Sequence, residues 1–65
     1  MKIKYFSSTD TLYIAFRQVA VAESRDLDED TILDLDAKGD ICGITVEHAS
    51  LRAEIPSFSF EQVSG

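Results

Sequence analysis

The residues most able to do chemistry are two aspartates two positions apart and the only histidine: Asp34, Asp36 and His48. Two carboxylates can act as general acid and general base when their surroundings separate their pKa values, and histidine titrates near neutral pH. The flanking sequence indicates no pocket around them. We therefore predict no catalytic residue. These three residues are candidates for polar contacts with a partner or, alternatively, for a small metal-binding or enzymatic site.

An acidic run before this pair has the alternating spacing that opens a calcium-binding EF-hand loop: Asp26, Asp28 and Asp30. The rest of that loop is missing, because Thr31 stands where glycine is needed and Ala37 where glutamate is needed. A loop that begins at Asp34 fails too, since Lys38 would occupy a ligand position. The sequence predicts a solvated acidic loop and no bound metal.

Cys42 is the only cysteine, so the chain has no internal disulfide. Together with His48 it supplies two of the four ligands of a structural zinc site. We therefore predict no cofactor. A domain of 65 residues has a small core and usually needs a further stabiliser. Association is the remaining one, as a homo-oligomer (a dimer) or with another protein.

The chain is acidic, with a formal net charge of −6 and only six dispersed Lys and Arg residues. This argues against binding nucleic acid by itself, which requires basic side chains on phosphates. It is compatible with a small basic partner protein. No apolar run approaches a membrane span, so no membrane contact is predicted. One unpaired cysteine and no apolar leader indicate the cytoplasm.

Alternating apolar residues predict a mainly β protein: a small antiparallel meander of four or five strands, built from two hairpins. Residues 2 to 6 and 11 to 16 form the first hairpin, and residues 31 to 36 and 41 to 46 form the second, around a turn at Gly39. Residues 19 to 27 predict a less regular third strand, although their Ala, Glu, Arg and Leu residues would also allow a helix. Gly43 marks a bulge or a close approach of another backbone.

The strand pattern places most of the large apolar residues on one face of the sheet. These are Ile3, Tyr5, Leu12, Ile14, Phe16, Leu33, Leu35, Cys42, Ile44 and Val46. One small sheet leaves such a face half covered, which again predicts pairing with a second chain.

Residues 48 to 53 are the one plausible helical turn, with Ser50 as its cap and Pro56 beyond its end. We interpret residues 1 to 65 as a single small domain, with a C-terminal arm at residues 51 to 65. The arm carries three apolar residues, Phe58, Phe60 and Val63, as candidate interface residues. Residues 57 to 63 could form a short strand or a helix, complete the core or dock on another chain.

Two long segments resemble the DUF2283 family, whose function is unknown. MKIKYFSSTDTLYIAF has its Lys-Ile-x-Tyr strand, acid-containing turn and Leu-Tyr-Ile strand. VAESRDLDEDTILDLDAKGDICGITVEHAS has its V-x-E-S, its I-L-D-x-D before a glycine turn, and a G-I-x-V that leads to Ala-Ser. The resemblance covers residues 1 to about 50. The chain departs from the family pattern at Glu47-His48 and in its IPSFSFEQV tail.

The resemblance implies a small antiparallel sheet with a short C-terminal helix or tail, and no established catalytic residues. Some members are encoded beside small toxin-like proteins, which implies an antitoxin role by association. Our leading hypothesis is a non-enzymatic protein-interaction module, in its more specific form an antitoxin-like partner of a small basic protein. A purely structural homo-oligomer is the alternative from another class.

Overall fold

The computed structural model describes all 65 residues and contains one antiparallel sheet of five strands. The strands are β1 (Lys2–Phe6), β2 (Thr11–Ala15), β3 (Glu23–Asp28), β4 (Thr31–Leu35) and β5 (Ile41–Glu47). One 3₁₀ turn, Ala49–Leu51, follows β5. The predicted mainly β class, both hairpins and a helical turn near the C-terminus are confirmed. No helix is long and apolar enough to cross a membrane.

The strands lie side by side in the order β1-β2-β5-β4-β3, so the sheet is not one continuous meander. The connection from β2 to β3 crosses one end of the sheet. There the amide of Phe16 donates to the carbonyl of Cys42, and the amide of Ala22 donates to the carbonyl of Leu35. Residues 19 to 22, predicted as strand, belong to this connection, and β3 begins at Glu23. The alternating alanines and valines imitate a strand, but the chain at that point is crossing between strands.

The pairing register places most of the predicted apolar residues on one face of the sheet. Phe16 lies beyond the end of β2, and the register shift between Asp34 and Leu35 interrupts the alternation at Leu35 and Cys42. Ile3 pairs with Ile14, and Ile14 pairs with Ile44. Opposed residues of an antiparallel pair point to the same side of the sheet. Ile44 in turn pairs with Leu33. We call this side the apolar face, and it carries Ile3, Tyr5, Leu12, Ile14, Leu33, Ile44 and Val46.

Gly43 combines the two roles that the sequence predicted for it. The β4–β5 register shifts beside it, between Asp34 and Leu35. A Cβ atom at Gly43 would also lie 3.2 Å from the carbonyl oxygen of Ile14 and 3.3 Å from the hydroxyl of Tyr13. Any larger side chain at this position would have to displace the backbone of β2.

Few residues of the folded chain are shielded from solvent. Five of the 65 residues are buried, among them Leu35, Cys42 and Ala49, and no large side chain is fully enclosed. The molecule measures 35 × 32 × 18 Å, which is the shape of a single-layered slab. A lone sheet cannot enclose a core, because a stable domain normally packs two layers together.

Candidate interaction surfaces

Asp34 and Asp36 do not form a carboxylate pair. Asp34 lies in β4 and accepts a hydrogen bond from the hydroxyl of Ser24 at 2.8 Å. Asp36 lies beyond the strand and accepts from the backbone amides of Lys38 and Asp40, at 2.9 and 3.0 Å. The two carboxylates therefore accept hydrogen bonds from different partners, in different parts of the sheet.

Asp36 also holds the connection that crosses the sheet. Its Oδ2 lies 2.9 Å from Nη2 of Arg17. The guanidinium, together with the turn amides, holds the pKa of this carboxyl below its usual value. Gly39 completes the turn with a φ of 83°, which glycine adopts without strain. The predicted hairpin turn at Gly39 is thus confirmed, with Asp36 as its hydrogen-bond acceptor.

His48 lies at the opposite end of the sheet from Asp36. Its Nδ1 is 2.8 Å from Oδ1 of Asp30, in the turn between β3 and β4. This hydrogen bond is the main reason that the pKa of His48 is raised above 6.5. The three polar residues singled out from the sequence are therefore divided between two ends of the sheet and form no common site.

The acidic run does not converge either. The carboxylate of Asp28 accepts from the backbone amide of Asp30, at 2.9 Å, while that of Asp30 pairs with His48. Nowhere in the chain do three or more His, Cys, Asp or Glu side chains lie in an arrangement that could hold a metal ion.

The most connected polar residue, Asp10, was not predicted from the sequence. One carboxylate oxygen accepts from the hydroxyl of Tyr5 at 2.6 Å and from the amide of Ser50 at 3.0 Å. The other accepts from the hydroxyl of Ser50 at 2.7 Å. The carbonyl of Asp10 also accepts from the amide of Ala49. A left-handed φ of 54° directs the residue toward these partners, and aspartate tolerates that conformation better than most residues.

These contacts join residues far apart in sequence into what we call the clamp: Tyr5, Asp10, Asp30, His48, Ala49, Ser50 and Arg52. Arg52 adds a hydrogen bond of 2.8 Å to the hydroxyl of Thr31. The prediction that Ser50 caps the 3₁₀ turn is wrong. Ser50 donates to Asp10 instead, and His48 at the cap position makes no side-chain capping bond.

The clamp has the residue types of a hydrolytic site but not its arrangement. The hydroxyl of Ser50 donates directly to a carboxylate, with no histidine between them. The hydrogen bonds from Ser50 and Tyr5 lower the pKa of Asp10, which makes it a weaker base. Activation of a serine needs a base matched to the operating pH, so this geometry stabilises the turn and does not activate Ser50.

A second surface is the outer edge strand β3. All six of its residues are exposed, and its only neighbour is β4. Glu23, Asp26 and Asp28 give it a negative charge. Arg25 is its only basic residue, and Arg25 is paired with Glu23 at 2.8 Å.

The third surface involves the C-terminal arm. Residues 53 to 58 lie over the apolar residues of β1 and β2. Farther out is an open groove of about 580 Å³, which we call the arm groove; it is lined by Met1, Ile3, Tyr5, Pro56, Phe58 and Phe60. Phe58 is 67% exposed, Phe60 78% and Val63 77%. Residues 57 to 63 form no strand and are exposed, so this part of the arm does not extend the sheet.

Comparison with known proteins gives one match. The family described as "Protein of unknown function (DUF2283)" matches residues 2–50, and the chain belongs to that family. No curated protein and no solved structure matches. The acid-containing turn and the Ala-Ser pair that carry the resemblance contain Asp10 and Ser50, which are in contact in the clamp.

Proposed function

We propose that this protein is a non-enzymatic protein-interaction module that binds a small basic protein through strand β3. The observation that carries the proposal is the exposed, acidic edge of that strand. One side of β3 pairs with β4, while the other has no neighbouring strand in this sheet. A free strand edge can accept a strand from another chain, with main-chain hydrogen bonds providing the affinity.

Charge determines which kind of strand fits. Residues 23 to 30 contain five acidic side chains and only Arg25 as a basic one. A second copy of β3 would be repelled, since like charges on an edge oppose pairing. A basic strand would be attracted, and complementary charge would speed the encounter and narrow partner choice.

In its more specific form the proposal makes the partner a small basic toxin and this protein its antitoxin. The net charge of −6 supports that form. The resemblance to DUF2283 proteins, some of which are encoded beside toxin-like proteins, implies the same role by association. Occlusion of the toxin by a small acidic protein would require no catalytic residue in this chain.

The test is a binding titration with the purified product of the adjacent gene, at low and high salt. Asp26→Lys reverses one charge on β3, and Asp40→Lys makes the same change in the turn between β4 and β5. We expect a complex at micromolar concentration that salt weakens. Asp26→Lys should weaken it at least tenfold, and Asp40→Lys should have little effect.

Two results would count against the proposal. No complex at micromolar concentration would remove the antitoxin form. A complex that responds equally to Asp26→Lys and Asp40→Lys would remove β3 as the binding edge. In the antitoxin form, co-expression of this protein should also restore the growth of cells that produce the toxin.

A further inference from the structure

The folded chain leaves more surface in contact with water than a compact protein of its mass. Its accessible surface is 5125 Å², whereas the scaling for folded monomers gives about 4,100 Å² for a chain of 7.2 kDa. The excess of about 1,000 Å² is close to the roughly 800 Å² that each partner buries in a standard protein interface. The chain therefore exposes as much additional surface as one stable interface would remove.

Much of the exposed apolar surface surrounds the arm groove. Met1 is 80% exposed, Ile3 37%, Phe58 67% and Phe60 78%. All four line the same groove. Contiguous apolar surface of this kind marks an interaction site on a soluble protein, whereas scattered apolar residues do not.

We propose that a second copy of this chain occupies the arm groove, related to the first by a two-fold axis, with Phe58 and Phe60 of both copies between the two sheets. A two-fold interface uses the same patch on both copies, so the patch must offer both a cavity and groups that fill one. The arm groove meets this requirement because the cavity and the exposed phenylalanines belong to the same patch. Packing of the two sheets would supply the second layer that a single chain lacks.

Charge also favours this face for self-association. Two copies that each carry −6 repel one another, and the repulsion is smallest where the contact faces have no carboxylates. No residue that lines the arm groove has a charged side chain. Lys2 and Lys4 alternate with Ile3 along β1 and point to the opposite face.

The dimer goes beyond the proposed function and uses a different part of the molecule. The arm groove adjoins β1, while the acidic edge is β3, and these strands are at opposite sides of the sheet. Each copy in the dimer would still present a free β3. One dimer could therefore hold two basic partners.

The experiment is sedimentation equilibrium of the full chain, from low micromolar to several hundred micromolar. We expect a species of twice the chain mass. Phe60→Ser should raise the dimer dissociation constant at least tenfold, because aromatic residues buried at an interface contribute much of its affinity. Leu51→Ser is the matched control. Leu51 is 83% exposed but lies beside His48 and Glu47, away from the arm groove.

A second measurement locates the interface. In a mixture of isotope-labelled and unlabelled chains, NMR contacts between the methyl groups of Ile3 and the ring of Phe60 should arise across copies. A monomer throughout the concentration range would overturn the proposal, and so would a dimer that Phe60→Ser leaves intact. A monomer that co-purifies with an apolar small molecule, detected by native mass spectrometry, would overturn it as well.

Discussion

The 3₁₀ turn of the clamp and the part of the C-terminal arm beyond Ala53 are adjacent in sequence, but only the turn is held by hydrogen bonds. Residues 48 to 52 are fixed by hydrogen bonds to Asp10, Asp30 and Thr31, and Ala49 is completely buried. Beyond Ala53 the chain makes no hydrogen bond, and its phenylalanines are mostly in water. The family match ends at residue 50, close to where this change occurs.

The difference indicates which part of the molecule is complete. In the clamp the side chains of Tyr5, Asp10 and Ser50 are hydrogen-bonded to one another within the same chain, so these polar groups need no partner chain. In the arm the exposed groups are apolar, and apolar surface gains free energy only when it leaves water. The clamp therefore stabilises the single chain, and we propose that the arm serves association.

The largest expected effect tests whether stability resides in the sheet. Leu35 is 6% exposed, and Leu→Ala at a buried site costs about 2–5 kcal/mol. A domain of this size has only about 3–5 kcal/mol available from its core. Leu35→Ala should therefore leave the chain largely unfolded by circular dichroism. Leu27→Ala, at a residue 63% exposed, is the control and should stay folded.

Gly43→Ala should have the next largest effect. The new Cβ would lie 3.2 Å from the carbonyl oxygen of Ile14. Overpacking of this kind lowers the free energy of unfolding by about 1–3 kcal/mol. Urea unfolding would measure the loss. Gly65→Ala is the control, since no atom lies within 4 Å of a Cβ there. Equal midpoints for the two variants would show that β2 and β5 do not approach as closely as described.

Asp10→Ala should lower the melting temperature by a smaller amount. The substitution removes the acceptor of Tyr5 and Ser50 and places alanine at a positive φ. Asp10→Asn should lower the melting temperature by less than Asp10→Ala, because asparagine tolerates that backbone conformation. If both variants have the same melting temperature as the wild type, the clamp does not stabilise the chain.

Acid provides a second test of the clamp. The pKa of Asp10 is held below 3.8, chiefly by the hydrogen bond from Ser50. The unfolded chain therefore binds the proton more readily. The stabilisation is complete above pH 3.8 and is lost as the pH falls through the lower pKa of the folded state. In Asp10→Asn this contribution to acid unfolding should be absent.

The smallest expected effect concerns His48. Its hydrogen bond to Asp30 raises its pKa above 6.5, so the folded chain holds the proton more tightly. The stabilisation is complete below pH 6.5 and is lost as the pH rises through the higher pKa of the folded state. Because the pair is exposed, the change in urea midpoint should be small. Asp30→Asn should remove this change in the urea midpoint, and NMR titration of that variant should show a lower pKa for His48 than in the wild type.

The sequence predicted the parts of the fold that depend on local pattern. Alternation gave the strands of both hairpins and the apolar face, and Gly39 marked its turn. The pattern could not reveal that β5 lies between β2 and β4, because strand order depends on contacts between distant segments. The clamp was missed for the same reason. Asp10 and Ser50 are 40 positions apart, and nothing near Asp10 indicates its left-handed backbone.

Asp34, Asp36 and His48 show the limit of the same method for sites. Each side chain is hydrogen-bonded to a residue that is distant in sequence. Ser24 donates to Asp34, Arg17 donates to Asp36, and His48 pairs with Asp30. The terminal arm was left undecided between core and interface. Its exposure in the folded chain favours the interface.

The most direct test of the division between clamp and arm is how unfolding depends on protein concentration. If the arm closes on a second copy, the urea midpoint of the full chain must rise with concentration, because association stabilises only the folded state. The double variant Phe58→Ser/Phe60→Ser should unfold at a midpoint that does not change with concentration, with its sheet intact. A midpoint of the wild-type chain that is the same from low to several hundred micromolar would contradict the account.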